Sequence, residues 1–198
     1  MGAYLEQAVK AVLSGNVVIY PTETVYGIGG DAQNDRLIRK VQAIKGRDAN
    51  KPMLVLTDDW DRVGGWIAEY TSIHRKLMRS QLPITLLFQP TDLVPVRLRG
   101  LSELIGIRKT THPFCKALIK KTDRLLLSTS ANPAGSPPVN DLKKLRLSFL
   151  LKVDCVVDVG VLPEALPSSV VAVGDGQLKV VREGSVGLAE LTRILDLE

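Results

Sequence analysis

Several segments of the chain carry apolar residues at helical spacing. In the first, positions 5, 8, 9, 12 and 13 are apolar, and Ser14-Gly15-Asn16 ends the pattern. In the second, positions 37, 38, 41 and 44 share one face, and either Asn34 or Asp35 can cap a helix that runs through residue 44. Further helices are predicted over residues 67–80, 113–121, 141–151 and 188–197, the third of them capped by Asp141.

Short apolar runs rich in Val, Ile and Leu alternate with these helices and predict strands. They lie at residues 17–20, 53–56, 84–88, 104–108, 125–129, 155–159, 169–173 and 178–182, and the last two form a hairpin. Interleaved helices and strands favour an α/β fold, a twisted mixed sheet with helices packed on it. A chain of 198 residues with 45% hydrophobic content fits a single domain over residues 1–198.

No apolar run approaches the ~20 residues that a membrane span needs, and the N-terminus does not read as a signal peptide. We therefore expect a soluble, cytoplasmic protein without membrane contact. Cys115 and Cys155 are unclustered, which fits reduced thiols and provides no metal-ligand spacing.

The formal charge of +5 favours polyanionic ligands such as nucleotides or RNA. Much of the excess is local. One group of basic residues spans 36–51, and a second comprises Arg97, Arg99, Arg108 and Lys109. Of the second group, we expect Arg97, Arg99 and Lys109 near the mouth of a cleft. Each of these residues is also typical of a solvated helix or loop.

A polar segment follows the first strand. Residues 17–20 are β-branched and aromatic, Pro21 ends the ladder, and residues 22–30 read Thr-Glu-Thr-Val-Tyr-Gly-Ile-Gly-Gly. The glycines allow unusual backbone conformations or close approach of a ligand. Residues 128–132 (Ser-Thr-Ser-Ala-Asn) emerge in the same way after an apolar strand, so both segments are expected to share one cleft. The alternative is that Ser130 and Asn132 only satisfy backbone groups of a turn.

A basic loop is predicted after the second helix. Lys45, Arg47 and Lys51 lie within seven residues around Gly46, and their cationic ends can converge on a triphosphate. Arg108 ends its own strand and can pair with a substrate carboxylate, although an internal ion pair fits equally well. His74 and His112 read as surface or capping residues, so no activated nucleophile or general base is indicated. Cations and hydroxyls without a base suit phosphate-centred chemistry, in which positioning and charge stabilisation dominate.

The segment 21–27 (Pro-Thr-Glu-Thr-Val-Tyr-Gly) resembles the signature of the YrdC/TsaC family of threonylcarbamoyl-adenylate synthases. Further matches follow in the family's order. They are residues 45–53, 105–108, 128–132, 167–171 and 182–184. The likeness spans roughly residues 5 to 185 and is closest to the short, single-domain form of the family. It implies a YrdC-like fold with a basic concave cleft.

The resemblance also implies an activity, namely condensation of L-threonine, bicarbonate and ATP to threonylcarbamoyl-AMP and pyrophosphate, for modification of adenosine in tRNA. Mg²⁺ would accompany ATP, and no protein metal ligands are assigned. The implied ATP-binding residues are Lys45, Arg47, Lys51, Ser130, Asn132 and Arg182, with Lys45 and Arg47 as catalytic residues. The implied threonine contacts are Thr24, Arg108, Ser128 and Ser169.

The resemblance implies a downstream tRNA-modifying transferase complex as a partner. The positive charge leads to the hypothesis that tRNA itself binds weakly, through its phosphates. Two alternatives remain open. One is a YrdC-like RNA-binding module without synthase activity, and the other is a paralogue that acts on a different carbamoyl-type substrate.

Overall fold

The structure, a computed structural model, describes residues 2–46, 48, 53–99, 103–174 and 176–196. Nine strands form one mixed sheet in the order β7-β1-β2-β6-β3-β5-β4-β8-β9. The strands are β1 Val18–Tyr20, β2 Gly27–Asp31, β3 Leu54–Thr57, β4 Ile84–Phe88, β5 Ile105–Lys109, β6 Leu126–Ser130, β7 Cys155–Val156, β8 Ser169–Gly174 and β9 Gln177–Arg182. Parallel pairs join β1 to β7, β3 to β5 and β4 to β8, and the other neighbours are antiparallel.

Seven α-helices and two 3-10 helices accompany the sheet in the described ranges. The α-helices are α1 Gly2–Leu13, α2 Asp35–Lys45, α3 Ser72–Arg79, α4 Val96–Arg99, α5 Pro113–Thr122, α6 Leu147–Leu150 and α7 Leu188–Asp196. The 3-10 helices are Trp60–Trp66 and Leu142–Lys144. Within these residues no helix is both long enough and apolar enough to cross a membrane.

The core has two parts because successive strand residues point to opposite faces of the sheet. On one face, α1 and α5 pack against strand residues such as Val18, Leu56 and Leu126. On the other face, α2, α3 and α7 contribute to a larger cluster that includes Ile19 and Leu127 from the same strands. The predicted mixed α/β sheet with packed helices is therefore confirmed.

Three predicted helical features differ in the structure. The helix predicted over 67–80 begins only at Ser72, because Thr71 caps it and Ile67 instead forms an isolated bridge with Pro90. The helix predicted over 141–151 is interrupted by extended backbone at residues 145 and 146, although Asp141 does cap its first part. Lys45, predicted on the basic loop, is the last residue of α2 and is buried, because the helix continues to its C-cap at Gly46.

A further difference concerns Gly29 and Gly30 of β2, for which the sequence predicts unusual backbone conformations or close approach of a ligand. Residues 27–31 form a buried strand between β1 and β6. A Cβ atom at Gly29 would lie 1.7 Å from the carbonyl oxygen of Leu127, and one at Gly30 would lie 2.4 Å from a methyl group of Leu37. These two glycines are therefore needed for close packing of strand and helix. The predicted strand 155–159 is also shorter than expected, ending at residue 156.

Candidate functional site

A cavity of about 350 Å³ lies on the face of the sheet that also carries α1 and α5. Ser128 and Ser130 line it and follow Leu126 at two-residue spacing, which places all three on that face. The floor includes a row of residues in register across four strands, namely Ser128, Leu54, Gly106 and Leu87. The volume falls in the range of small-molecule sites.

The turn between β1 and β2 forms one wall. Thr22 and Thr24 both line the cavity and are nearly fully buried. The Thr22 hydroxyl accepts a hydrogen bond from the Thr24 N–H at 3.1 Å and donates one to the Val25 carbonyl at 2.6 Å. The hydroxyl oxygens of the two threonines are 3.1 Å apart. The segments 22–24 and 128–130 therefore share one cavity, as the sequence predicts. The hydroxyl of Thr24 is held beside this cavity by its contact with the hydroxyl of Thr22.

Tyr26 connects this wall to the segment that follows β7. Its hydroxyl donates to the carbonyl of Gly160 at 2.7 Å and accepts from the N–H of Val159 at 3.0 Å. Tyr26 is also among the residues that line the cavity. Burial raises the pKa of the Tyr26 phenol, so this hydroxyl stays protonated and keeps donating at neutral pH.

Two arginines, Arg108 on β5 and Arg182 on β9, line the cavity. Arg108 is 4% exposed. Arg182 is more exposed, and its Nη2 donates to the carbonyl of Ser168 at 2.8 Å. Burial lowers the pKa of Arg182, and the positive charge of Arg108 lowers it further. Two like charges therefore lie close enough to repel, an arrangement that an anionic ligand relieves.

Two predicted ATP-binding residues, Lys45 and Asn132, lie at the end of β6 and do not line the cavity. The Lys45 ammonium, 3% exposed, donates to the carbonyls of Ser130 and Asn132, the second at 2.7 Å. The Asn132 amide donates to the carbonyls of Pro133 and Ser136 at 2.9 and 2.7 Å. Both side chains thus fix the path of the backbone directly after the cavity-lining Ser130.

Of the adjacent serines in segment 167–171, Ser168 faces the cavity and Ser169 does not. The Ser168 hydroxyl lies 2.9 Å from that of Thr85, another lining residue. Ser169 is fully buried, donates to the Val186 carbonyl at 2.6 Å, and accepts from the N–H groups of Gly184 and Val186. Ser169 therefore holds the loop after β9 against β8.

The remaining predicted residues divide into two groups. Arg47 and Lys51 lie outside the described residues, so their predicted contacts with ATP stay predictions. Arg97 and Arg99, expected near the cleft mouth, do not line the cavity. Arg97 pairs with Asp35 at 3.1 Å, and Arg99 donates to the carbonyls of Thr91 and Val94. The polar cavity-lining residues to which the sequence prediction gives no role are Thr22, Thr85, Thr129 and Ser168.

Neither Cys115 nor His112 offers an activated nucleophile to the cavity. Cys115 is fully buried and donates to the carbonyl of Pro21 at 3.2 Å, and burial raises the pKa of its thiol far above the ordinary value. Burial also lowers the pKa of His112, which stands half-buried before α5. Across the described ranges, no group of three or more His, Cys, Asp or Glu side chains has the geometry of a metal site.

Hydroxyl groups and two arginines on one face of the mixed sheet define a small-molecule site that favours anions. Residues 10–184 match the model of the Sua5/YciO/YrdC family, which carries the description telomere recombination. The chain belongs to this family.

A threonylcarbamoyl-AMP synthase from Coxiella burnetii is 32% identical over 168 residues, which cover 84% of this chain and 90% of that protein. Sua5 of Pyrococcus abyssi, solved in complex with L-threonine, superposes with a TM-score of 0.90 at 24% identity and covers 96% of this chain. This chain spans 57% of that Sua5 chain. YciO of E. coli gives a TM-score of 0.85 at 24% identity, over 96% of this chain and 94% of its own. The two structures show that the fold is shared.

Proposed function

We propose that the chain is an L-threonylcarbamoyladenylate synthase, which condenses L-threonine, bicarbonate and ATP to threonylcarbamoyl-AMP and pyrophosphate. Membership of the family and the 32% identity to a relative of that name support the proposal. The product would serve the modification of adenosine in tRNA. The proposed setting is the cytoplasm, with a tRNA-modifying transferase complex as the consumer of the product and tRNA as a weak ligand.

The observation that carries the proposal is the composition of the cavity. Arg108 and Arg182 supply two positive charges, while Thr22, Thr24, Ser128, Ser130 and Ser168 supply neutral donors and acceptors. An amino-acid carboxylate and a nucleotide phosphate both need such partners. The buried, protonated Cys115 offers no competing covalent route, which fits a reaction between two bound substrates.

The chemistry begins at the threonine amine, which combines with bicarbonate to form a carbamate and releases water. A carbamate oxygen then attacks the α-phosphorus of ATP, and the bond to the β-phosphate oxygen breaks as pyrophosphate leaves. The residues proposed on the threonine side are Thr24, Arg108 and Ser128, which line the cavity, together with Ser169, which acts through the loop after β9 that it holds. Ser168 is added because it lines the cavity. Those proposed on the ATP side are Lys45, Arg47, Lys51, Ser130, Asn132 and Arg182.

In this scheme the buried residues Lys45 and Asn132 act by positioning other groups. Lys45 and Asn132 hold the backbone that presents Ser130, so their contribution to nucleotide binding passes through that backbone. Magnesium is proposed to arrive as part of the substrate, bound to the phosphates of ATP. This fits the described residues, where the carboxylate of Glu23 is already paired with Arg108.

The test is pyrophosphate release by the full chain from ATP, with L-threonine and bicarbonate each supplied or withheld. We expect release only when all three are present. Release that ignores threonine would overturn the proposal in favour of an ATPase or a paralogue with another substrate. Absence of release together with measurable RNA binding would favour the RNA-binding module.

A further inference from the structure

Glu23 and Arg108 form a buried ion pair that links two distant parts of the sheet. Glu23 Oε1 lies 3.4 Å from Arg108 Nε, and the side chains are 14% and 4% exposed. Glu23 stands on the turn after β1, whereas Arg108 stands on β5, and β2, β6 and β3 lie between these strands in the sheet order. The ion pair therefore connects the turn after β1, which forms one wall of the cavity, to β5, which contributes to its floor.

The second oxygen of Glu23 is fixed from the end of β5. The hydroxyl of Thr110 donates to Oε2 at 2.9 Å. Thr110 is itself 1% exposed, and its N–H donates to the carbonyl of Thr57 at 2.8 Å. The same hydroxyl accepts from the N–H of His112 at 3.2 Å. Glu23 is thus held from the strand that carries Arg108, two residues further along.

The ion pair leaves hydrogen-bonding capacity at Arg108. Glu23 Oε1 and Arg108 Nε are both buried, and among the described residues neither has a hydrogen-bond partner. Their contact therefore acts through charge at 3.4 Å and is not an aligned hydrogen bond. Arg108 lines the cavity and Glu23 does not, so the carboxylate contacts the guanidinium at Nε without itself lining the cavity.

We propose that Glu23 is a positioning residue for Arg108. It holds the guanidinium in place, so the Arg108 side chain does not have to become ordered when it binds the carboxylate of the amino-acid substrate. This inference rests on the proposed function, in which Arg108 contacts L-threonine. A long side chain that is already restrained loses less rotamer freedom on binding, which strengthens binding without a new contact. Thr110 shares the role because it fixes the carboxylate.

Two physical effects of Glu23 have opposite signs, which makes the inference testable. By charge alone, Glu23 offsets the positive potential of Arg108 and weakens the attraction for a carboxylate, so its removal should tighten threonine binding. By positioning, its removal frees the guanidinium and should weaken threonine binding. The structure favours positioning, because a hydrogen bond from Thr110 fixes Oε2 of Glu23 while Oε1 lies 3.4 Å from Arg108 Nε.

The experiment measures the Kd of L-threonine by calorimetry and the KM values of threonine and ATP for Glu23→Gln in the full chain. Gln keeps the size of the side chain and an acceptor for Thr110 but removes the charge. We expect the threonine Kd and KM to rise by about tenfold, while the ATP KM stays within about twofold. Glu190→Gln, the same charge change on the exposed side of α7, should leave all three values unchanged.

Variants of Thr110 keep the inference testable if Glu23→Gln does not fold. Thr110→Val removes the hydroxyl that donates to Glu23, so we expect the threonine KM to rise, as in Glu23→Gln. Thr110→Ser keeps a hydroxyl donor, so its threonine KM should stay close to that of the unmodified chain. Equal or tighter threonine binding in Glu23→Gln, or equal KM values in the two Thr110 variants, would overturn the inference. Failure of the unmodified chain to bind threonine would instead overturn the proposed function.

Discussion

The ammonium of Lys45 donates a hydrogen bond to the main-chain carbonyl of Asn132, with Nζ and the oxygen 2.7 Å apart. It also donates to the carbonyl of Ser130. In return, the N–H of Ala134 donates to the carbonyl of Lys45 at 2.7 Å. The end of α2 and the segment after β6 are therefore joined at three points. A lysine that a sequence motif associates with phosphate thus has a structural role beside the cavity.

We predict that Lys45→Met lowers both stability and activity. The substitution keeps most of the apolar stem but leaves two buried carbonyls without this donor, at an expected cost of about 1–3 kcal/mol in the free energy of unfolding. Chemical denaturation and pyrophosphate release measure the two effects. Lys10→Met, on the exposed side of α1, is the control. Unchanged stability in Lys45→Met would show that the hydrogen bonds to Ser130 and Asn132 contribute nothing to the fold.

Arg47 provides the matching contrast, although its position lies outside the described residues. From the sequence we predict that Arg47→Ala slows ATP turnover by about ten- to hundredfold, because a charge-assisted phosphate contact is worth about 1.5–3 kcal/mol. Stability should stay unchanged. Normal pyrophosphate release in this variant would remove Arg47 from the mechanism.

A second prediction concerns the close packing of β2. Gly29→Ala would place Cβ 1.7 Å from the carbonyl oxygen of Leu127 on the neighbouring strand. Because that atom is backbone in the middle of the sheet, the strands must separate, and we expect a loss of about 3 kcal/mol or more in the free energy of unfolding. Gly174→Ala, at the end of β8 with nothing within 4 Å of the added atom, is the matched control. Equal stability of the two variants would contradict the assignment of β2.

Much of the fold can be predicted from local sequence patterns. The strand predicted over 84–88 has those bounds in the structure, and α5 differs from its prediction by one residue. Prediction fails at β2, where three of five residues are glycine and local propensity disfavours a strand. There the decisive factor is contact with Leu127 and Leu37, which are distant in sequence.

The site shows a similar division. Motifs correctly indicate that segments 22–24 and 128–130 meet, but they do not give the side on which each residue lies. Adjacent strand residues face opposite ways, so the choice between Ser168 and Ser169 depends on register with β4. The burial of Lys45 could not be predicted either, because it depends on where α2 ends relative to β6.

We predict that the reaction selects threonine over serine by a modest factor. A site that encloses the additional methyl group gains about 1–3 kcal/mol, or roughly 10- to 200-fold in kcat/KM. Apolar side chains such as Leu87 and Val170 are available in the cavity lining to contact it. Rates of pyrophosphate release with threonine, serine and glycine measure the selectivity. Equal rates with all three would favour a paralogue with a different substrate or an uncoupled ATPase.

Binding of tRNA is predicted to be weak and to depend steeply on salt. The formal charge of +5 supports phosphate contacts, while only nine aromatic residues (Trp 2, Tyr 4, Phe 3) are present in the sequence to stack on bases. Neutralising about three phosphates would reduce affinity by about ten- to hundredfold between roughly 50 and 200 mM salt. Filter binding across this range measures the slope. Tight, sequence-selective binding that survives high salt would instead favour the RNA-binding module.

The last prediction concerns the stability of the fold at acidic pH and depends on His74. His74 Nδ1 accepts from the N–H of Thr71 at 3.2 Å, and Nε2 lies 3.3 Å from the carbonyl of Leu87. The ring stacks on Phe88 with centroids 4.7 Å apart. The hydrogen bond from Thr71 requires an unprotonated Nδ1. Burial lowers the pKa of His74, although the bond to Leu87 raises it somewhat. The folded chain therefore resists protonation at this site.

In the unfolded chain the pKa of this histidine should be about 6.5. As the pH falls through that value, the unfolded state takes up a proton that the folded state does not, so the free energy of unfolding decreases, by at most about 1.4 kcal/mol per pH unit for this group. His112, whose pKa burial also lowers, adds a loss of the same sign.

His74→Gln tests this, because Gln does not titrate and is a favoured partner for Thr71 in a capping box. We expect the difference in the free energy of unfolding between about pH 7.5 and pH 5.5 to shrink in His74→Gln. His112→Gln separates the second contribution. An unchanged pH dependence in His74→Gln would mean that His74 is as easily protonated in the folded chain as in the unfolded one, which its burial and the hydrogen bond that Nδ1 accepts from Thr71 oppose.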